Sequence, residues 1–298
     1  LALTASDDNT ARIYEVAKGN ELQVLSGHKG AINSAVFSPD GKMAITASYD
    51  STARIYEVAT GNELKVLRGH TSAIKSAVFS PDGKLILTAS DDNTTRIYEV
   101  ATGKEMQILS GHKGAINSAA FSPDGKFVLT TSDQTRIYEV ITGKKKYEFD
   151  IEYPDVEYGK FVSYVNAVFS PNNNLVLIAS SKNTSQIFEL ATGNELIMLK
   201  GHTDYLSSVV FSPDSKLALT ASYDKKARIY EVATGNLLQV LRGHTDGLRS
   251  AVFSPDGKLV LTASDDFKTR IYEVSTGKEL LLLNGNNSLF SCDGNLAL

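Results

Sequence analysis

The chain has 298 residues, 42% of them hydrophobic and 21% charged, with a formal net charge of −4; that is enough chain to bury a sizeable core. Mild acidity without a sustained Lys/Arg block argues against a nucleic-acid partner, and no apolar run approaches the roughly 18 residues that cross a bilayer, so no membrane association is expected. One cysteine, Cys292, can make neither an internal disulfide nor a thiolate metal site, which fits a reducing compartment and a cytoplasmic location.

In chain order, Leu1-Ala2-Leu3-Thr4-Ala5-Ser6 opens the sequence as a strand from the middle of a unit rather than its start. The expectation is a piece of a longer protein, with other domains of that protein among its partners. The pentapeptide Arg-Ile-Tyr-Glu-Val then begins at Arg12, Arg54, Arg96, Arg136, Arg228 and Arg270, with a degenerate copy at Gln186. Successive copies are 42, 42, 40, 50, 42 and 42 residues apart. Phe-Ser-Pro-Asp-Gly, or a close variant, begins at Phe37, Phe79, Phe121, Phe169, Phe211, Phe253 and Phe290. Seven copies of each marker give seven units, and such repeats set the fold before any other feature.

Each unit predicts four short strands, as in Gly69 to Leu109. Ala73–Ser80 is rich in β-branched and aromatic residues and ends in the Pro81-Asp82-Gly83 turn. Lys84–Ser90 follows, closed by Asp91-Asp92-Asn93; then Thr95–Val100, closed by Ala101-Thr102-Gly103; then Glu105–Leu109. Strands of five to eight residues with regular turn signals predict an all-β chain. The sequence finishes with a first strand and turn over Leu289–Gly294, then Leu296-Ala297-Leu298, a repeat of Leu1-Ala2-Leu3.

A repeat of about 42 residues with four strands is the size of one β-propeller blade. Gly-His near the start, Ser-Pro-Asp-Gly after the first strand and Ser-x-Asp-x-x-x-Arg-Ile-Tyr-Glu at the end resemble WD40 repeats, with the usual Trp-Asp replaced by Tyr-Glu, as at Tyr56-Glu57. The resemblance runs along essentially the whole chain and is nearest to highly repetitive prokaryotic propellers. It implies a single domain over 1–298: a seven-bladed β-propeller of four-stranded antiparallel blades, its ring closed by N- and C-terminal strands sharing one blade. Closure of that kind leaves no open sheet edge.

All five histidines lie in Gly-His pairs. Each is followed by Thr or Ser, then Asp, then Tyr: His28, Ser48 or Thr46, Asp50, Tyr56; His70, Asp92, Tyr98; His112, Asp133, Tyr138; His202, Asp224, Tyr230; His244, Asp266, Tyr272. A Ser–His–Asp set suggests nucleophilic catalysis. An enzyme needs one such site in a cleft, however, and this set recurs in unit after unit. It is expected to be a buried hydrogen-bond network locking each blade, as in the tetrad of the resembled family, with no catalytic residue. The fourth unit has lost the set, with no Gly-His, Lys182 in place of Asp and Phe188 in place of Tyr.

Positions that vary among copies are free to serve a partner. They gather after Gly-His and in the turn before Asp, which the resemblance places on the propeller's top face. The candidates are Tyr49, Lys75, Tyr205, Tyr223 and Arg249; Tyr and Arg dominate interface hot spots. Lys29, Lys113 and Asp265 occupy the same regions. An acidic, aromatic insertion, Asp150 to Tyr158, adds Tyr153 and Tyr158, and its carboxylates lack a calcium-loop pattern. Ile197 and Leu281 replace the polar middle residue of the fourth strand and are expected to be exposed. No cofactor or metal motif appears. The function expected is a non-catalytic interaction scaffold that binds a protein or peptide on the top face. The alternative is a glycan or metabolite at the channel mouth.

Overall fold

The short runs between turns alternate apolar side chains with polar ones, and each becomes a strand. The computed structural model describes residues 1–149, 167–180 and 183–285. Among them every regular element is a β-strand, and the strands form seven antiparallel sheets. Contacts divide the chain into two compact units, Leu1–Phe149 and Asp150–Leu298.

The first unit holds four sheets. The first has three strands, β1 (Ala2–Ala5), β2 (Ala11–Glu15) and β3 (Asn20–Leu25). The second has β4 (Ile32–Phe37), β5 (Met43–Ser48), β6 (Ala53–Glu57) and β7 (Glu63–Leu67). The third has β8 (Ile74–Phe79), β9 (Leu85–Ser90), β10 (Thr95–Glu99) and β11 (Glu105–Leu109), within one residue of the sequence expectation at every end. The fourth has β12 (Ser118–Phe121), β13 (Phe127–Thr131), β14 (Thr135–Glu139) and β15 (Lys145–Phe149).

The second unit holds three sheets of four strands. These are β16 (Ala167–Phe169), β17 (Leu175–Ala179), β18 (Ser185–Glu189) and β19 (Glu195–Leu199); β20 (Leu206–Phe211), β21 (Leu217–Ser222), β22 (Ala227–Glu231) and β23 (Leu237–Leu241); and β24 (Leu248–Phe253), β25 (Leu259–Ser264), β26 (Lys268–Glu273) and β27 (Glu279–Asn284). Every sheet is a meander in sequence order. The register shifts just before the Tyr or Phe of the pentapeptide in all seven outer pairs, as between Ile55 and Tyr56 and between Ile187 and Phe188. The degenerate copy therefore builds the same sheet as the others.

Within each unit the core lies between successive sheets. Ile45, Ile55 and Leu67 of the second sheet meet Ile74, Ile86 and Tyr98 of the third. Leu219, Ile229 and Leu241 of the sixth meet Leu248, Val260 and Tyr272 of the seventh. Each tyrosine thus fills the seam with the preceding sheet. The Ser-Pro-Asp-Gly turns are held by one carboxylate: Ser38 Oγ and Lys42 N both donate to Asp40 Oδ1, at 2.6 and 3.0 Å. Gly41 sits at φ +70 and closes the turn with its N–H on Ser38 O.

One expectation is corrected. Ile197 is not a solvent-facing residue of an outer strand. It packs among Leu199, Phe211 and Val232, and a Cβ on Gly235 of the next sheet would stand 2.6 Å from its Cγ2. Its neighbours Leu196 and Met198 are the exposed ones, because side chains alternate across a strand. Leu281 is exposed, as expected.

Candidate functional site

The five His sets fold into five equivalent networks. Each histidine is buried at the loop before its first strand, with its ring between the second strand and the turn that follows. Nε2 lies 2.7–2.8 Å from a threonine Oγ1, on Thr46, Thr88, Thr130, Thr220 and Thr262. Nδ1 lies 2.8–2.9 Å from Asp50, Asp92, Asp133, Asp224 and Asp266. Threonine, not serine, is the partner. Ser48 Oγ donates instead to Gly30 O, and Asp50 N donates to Ser48 Oγ.

The tyrosine hydroxyls donate to backbone rather than to histidine. Tyr56, Tyr98, Tyr138, Tyr230 and Tyr272 reach the carbonyls of Ser26, Arg68, Ser110, Lys200 and Arg242, each the residue before Gly-His, at 2.9–3.1 Å. The phenol therefore pins the loop that carries the histidine. Burial pushes Tyr56 and Tyr98 up to about 12. Burial also lowers every histidine, against the pull of its aspartate. At Asp50 burial raises the carboxyl, but hydrogen bonds from Thr52, Lys29 N and His28 outweigh it and hold it at about 2. The combination is a neutral imidazole donating from Nδ1 to a carboxylate and accepting a threonine proton at Nε2. The threonine hydroxyl in each set is itself buried, which suits a network that holds the blade together.

Two further members went unread, the arginine of the pentapeptide and a glutamate on the outer strand. Its arginine crosses to the outer strand, pairing Arg54 with Glu63 and Arg96 with Glu105, Arg136 with Glu148 at 2.9 Å and Arg270 with Glu279 at 2.6 Å. This pair crowds the glycine of Gly-His, where a Cβ on Gly27 would stand 2.6 Å from Arg54 Nη1. The recurring Arg and the Glu nine residues later, or twelve for Arg136, were the available signal. In the sixth sheet Leu237 replaces that Glu, and Arg228 turns inward, with Nη1 2.8 Å from Asp224. In the fifth sheet, which is the fourth unit, Ile178 stands at the threonine position and Gln186 at the arginine position. Ile178 is buried and Phe188 has no hydroxyl, so the polar network is replaced as a set. Lys182 lies outside the described residues.

The variable positions converge most closely across the sixth and seventh sheets. Tyr223 N donates to Tyr205 O at 2.9 Å. The Tyr223 ring lies against Gly247 at the entry to β24, leaving no room for a side chain there. Arg249, on β24, forms an ion pair with Asp265 and feels the Tyr223 phenol. Tyr205 and Tyr223 are 41% and 38% exposed, so both rings keep a free face. Tyr49 and Lys75 hold the equivalent turn and first-strand positions in the second and third sheets, where Lys75 pairs with Asp91 at 3.3 Å. Tyr153 and Tyr158 lie outside the described residues. Phe267, missed in the sequence, is 69% exposed at φ +59 in the turn after Asp266. Its signal was an aromatic where other copies carry Asn9, Ser51, Asn93 or Lys225.

The family model "WD domain, G-beta repeat" matches five stretches, residues 19–57, 61–99, 103–137, 193–231 and 235–273, more than half of the chain. The chain belongs to the WD40-repeat family. Each of the five matched WD40 repeats contains one of the five histidines, so the matches coincide with the intact networks. WD40 repeats generally act as protein-interaction scaffolds. No curated protein matches the chain. Among the described residues no His, Cys, Asp and Glu side chains cluster so as to hold a metal ion, and no helix is long and apolar enough to cross a membrane.

Proposed function

We propose that the chain is a non-catalytic recognition module in which seven blades form one closed ring and a protein or peptide docks on the loop face around Tyr205, Tyr223 and Arg249. Tyr49, Lys75, Tyr153 and Tyr158 extend that surface. The observation that carries the reading is the convergence of two half-exposed tyrosines and a surface arginine across adjacent sheets. Such residues supply large, stiff contact area and a guanidinium fork at low ordering cost. Closure draws support from the first sheet, which has three strands where the others have four. Ser288-Leu289-Phe290-Ser291 repeats the first-strand pattern that would complete it, though it lies outside the described residues.

The test is a triple variant, Tyr205→Ala, Tyr223→Ala and Arg249→Ala, compared with the unaltered chain as immobilised bait. Loss of a captured protein, with thermal unfolding unchanged, is the expected result. Capture that survives all three substitutions places the docking face elsewhere.

A further inference from the structure

In five seams the middle residue of an outer strand stands at the outer edge against the next sheet's turn glycine. In three of them that residue is glutamine. Gln23, Gln107 and Gln239 each donate from Nε2 to the first carbonyl of the next sheet's outer turn, on Ala59, Ile141 and Ser275, at 2.9, 2.9 and 3.1 Å. In a fourth, Ile197 packs against the turn glycine, Gly235. The seam between the second and third sheets differs. Lys65 takes the glutamine's place, its stem lies against Gly103, and its ammonium makes no hydrogen bond or ion pair among the described residues. Ala101, whose carbonyl would receive the missing latch, borders an open cleft of about 440 Å³.

The cleft's chemistry is specific. Met43, Leu64 and Val100 make an apolar wall, and Lys65, Lys84 and Glu99 rim it. Glu99 is engaged by the Thr102 hydroxyl at 2.6 Å, while Lys84 reaches Asp82 only at 3.8 Å. Two lysines and one engaged carboxylate thus border the cleft, and its volume suits one small molecule. We propose that this cleft binds a small amphiphilic carboxylate, its apolar body over Met43, Leu64 and Val100 and its head group on Lys65. The site stands at the Ser-Pro-Asp-Gly end of the strands, opposite the end that carries Tyr49, and is independent of the docking face.

The chain has three methionines, Met43, Met106 and Met198, which makes methyl-labelled methionine a direct probe. Met43 lines the cleft, whereas Met106 and Met198 are exposed on outer strands of other sheets. Titrating octanoate is expected to shift the Met43 methyl saturably and leave Met198 in place, while octylammonium shifts neither methyl. Lys65→Gln removes the cation and installs the latch, and is expected to weaken octanoate binding at least about tenfold, the scale of one charge-assisted hydrogen bond, with melting no lower than that of the unaltered chain. Gln107→Lys opens the matching seam, so Met106 then responds. The proposal is overturned if octanoate leaves Met43 unmoved, if octylammonium moves it as far, if Lys65→Gln binds equally well, or if Gln107→Lys gains nothing at Met106.

Discussion

Thr88 is fully buried and supplies the proton that His70 Nε2 accepts at 2.7 Å. Thr88→Val keeps the shape and leaves that nitrogen without a donor, a cost of about 1–3 kcal/mol. Denaturant unfolding of Thr88→Val measures it directly. The fifth sheet indicates that replacing the whole set is milder, since Ile178 and Phe188 sit in a well-packed sheet of the same register. Combining His70→Leu, Thr88→Ile and Tyr98→Phe is therefore expected to cost less than the sum of the three single changes; a sum equal to or smaller than the combined cost would count against the shared network. The sequence showed which residues belong to each set but left Thr46 and Ser48 open. Both lie on one face of β5, two residues apart. Only the coordinates separate them, because Thr46 stands opposite Arg54, deep in the sheet, while Ser48 borders the turn.

At the scale of single elements, the turn after Asp266 is the least comfortable of its kind. Equivalent positions carry Asn9 and Asn93, which tolerate the left-handed conformation, but here it falls on Phe267 at φ +59. A bulky residue pays about 1–2 kcal/mol there that glycine does not. Phe267→Gly is accordingly expected to raise unfolding stability by about 1 kcal/mol, measured by thermal or denaturant melts. A fall in stability would mean that the exposed ring makes packing contacts worth more than the strain. Outer strands show the complementary limit of sequence reading. Alternation was plain in Glu63-Leu64-Lys65-Val66-Leu67, and the polar middle residue invited a solvent-facing assignment. Gln23, Gln107 and Ile197 instead face the next sheet, because periodicity tells which residues share a face and not what that face meets.

At the scale of the whole molecule, the repeat length and its turn residues made seven antiparallel sheets legible, including the degenerate one. The residues proposed for docking were legible only as variable positions; the packing of Tyr223 on Gly247 was not, since it joins segments from two sheets. The same repetition multiplies one titration behaviour across the chain. Five buried histidines have folded-state values below the ordinary 6.5, so the unfolded chain takes up protons first as pH falls. Each set then loses stability with a limiting slope of about 1.4 kcal/mol per pH unit. Asp50 and Asp92, held at about 2 against an ordinary 3.8, extend the loss toward lower pH. Tyr56, Tyr98 and Tyr272 behave oppositely: at about 12 they stay protonated in the fold when the unfolded chain ionises near 10, so stability falls again above that pH. The melting temperature is expected to be flat between about pH 7 and 9.5 and to drop on both sides. In the His70→Leu, Thr88→Ile, Tyr98→Phe variant one histidine of five is gone, and the upper part of the acid limb, just below pH 6.5 where histidines titrate before carboxylates, should be shallower by about one fifth, because the slope counts protons taken up on unfolding. An acid limb of undiminished steepness in that variant would assign the pH dependence to carboxylates alone.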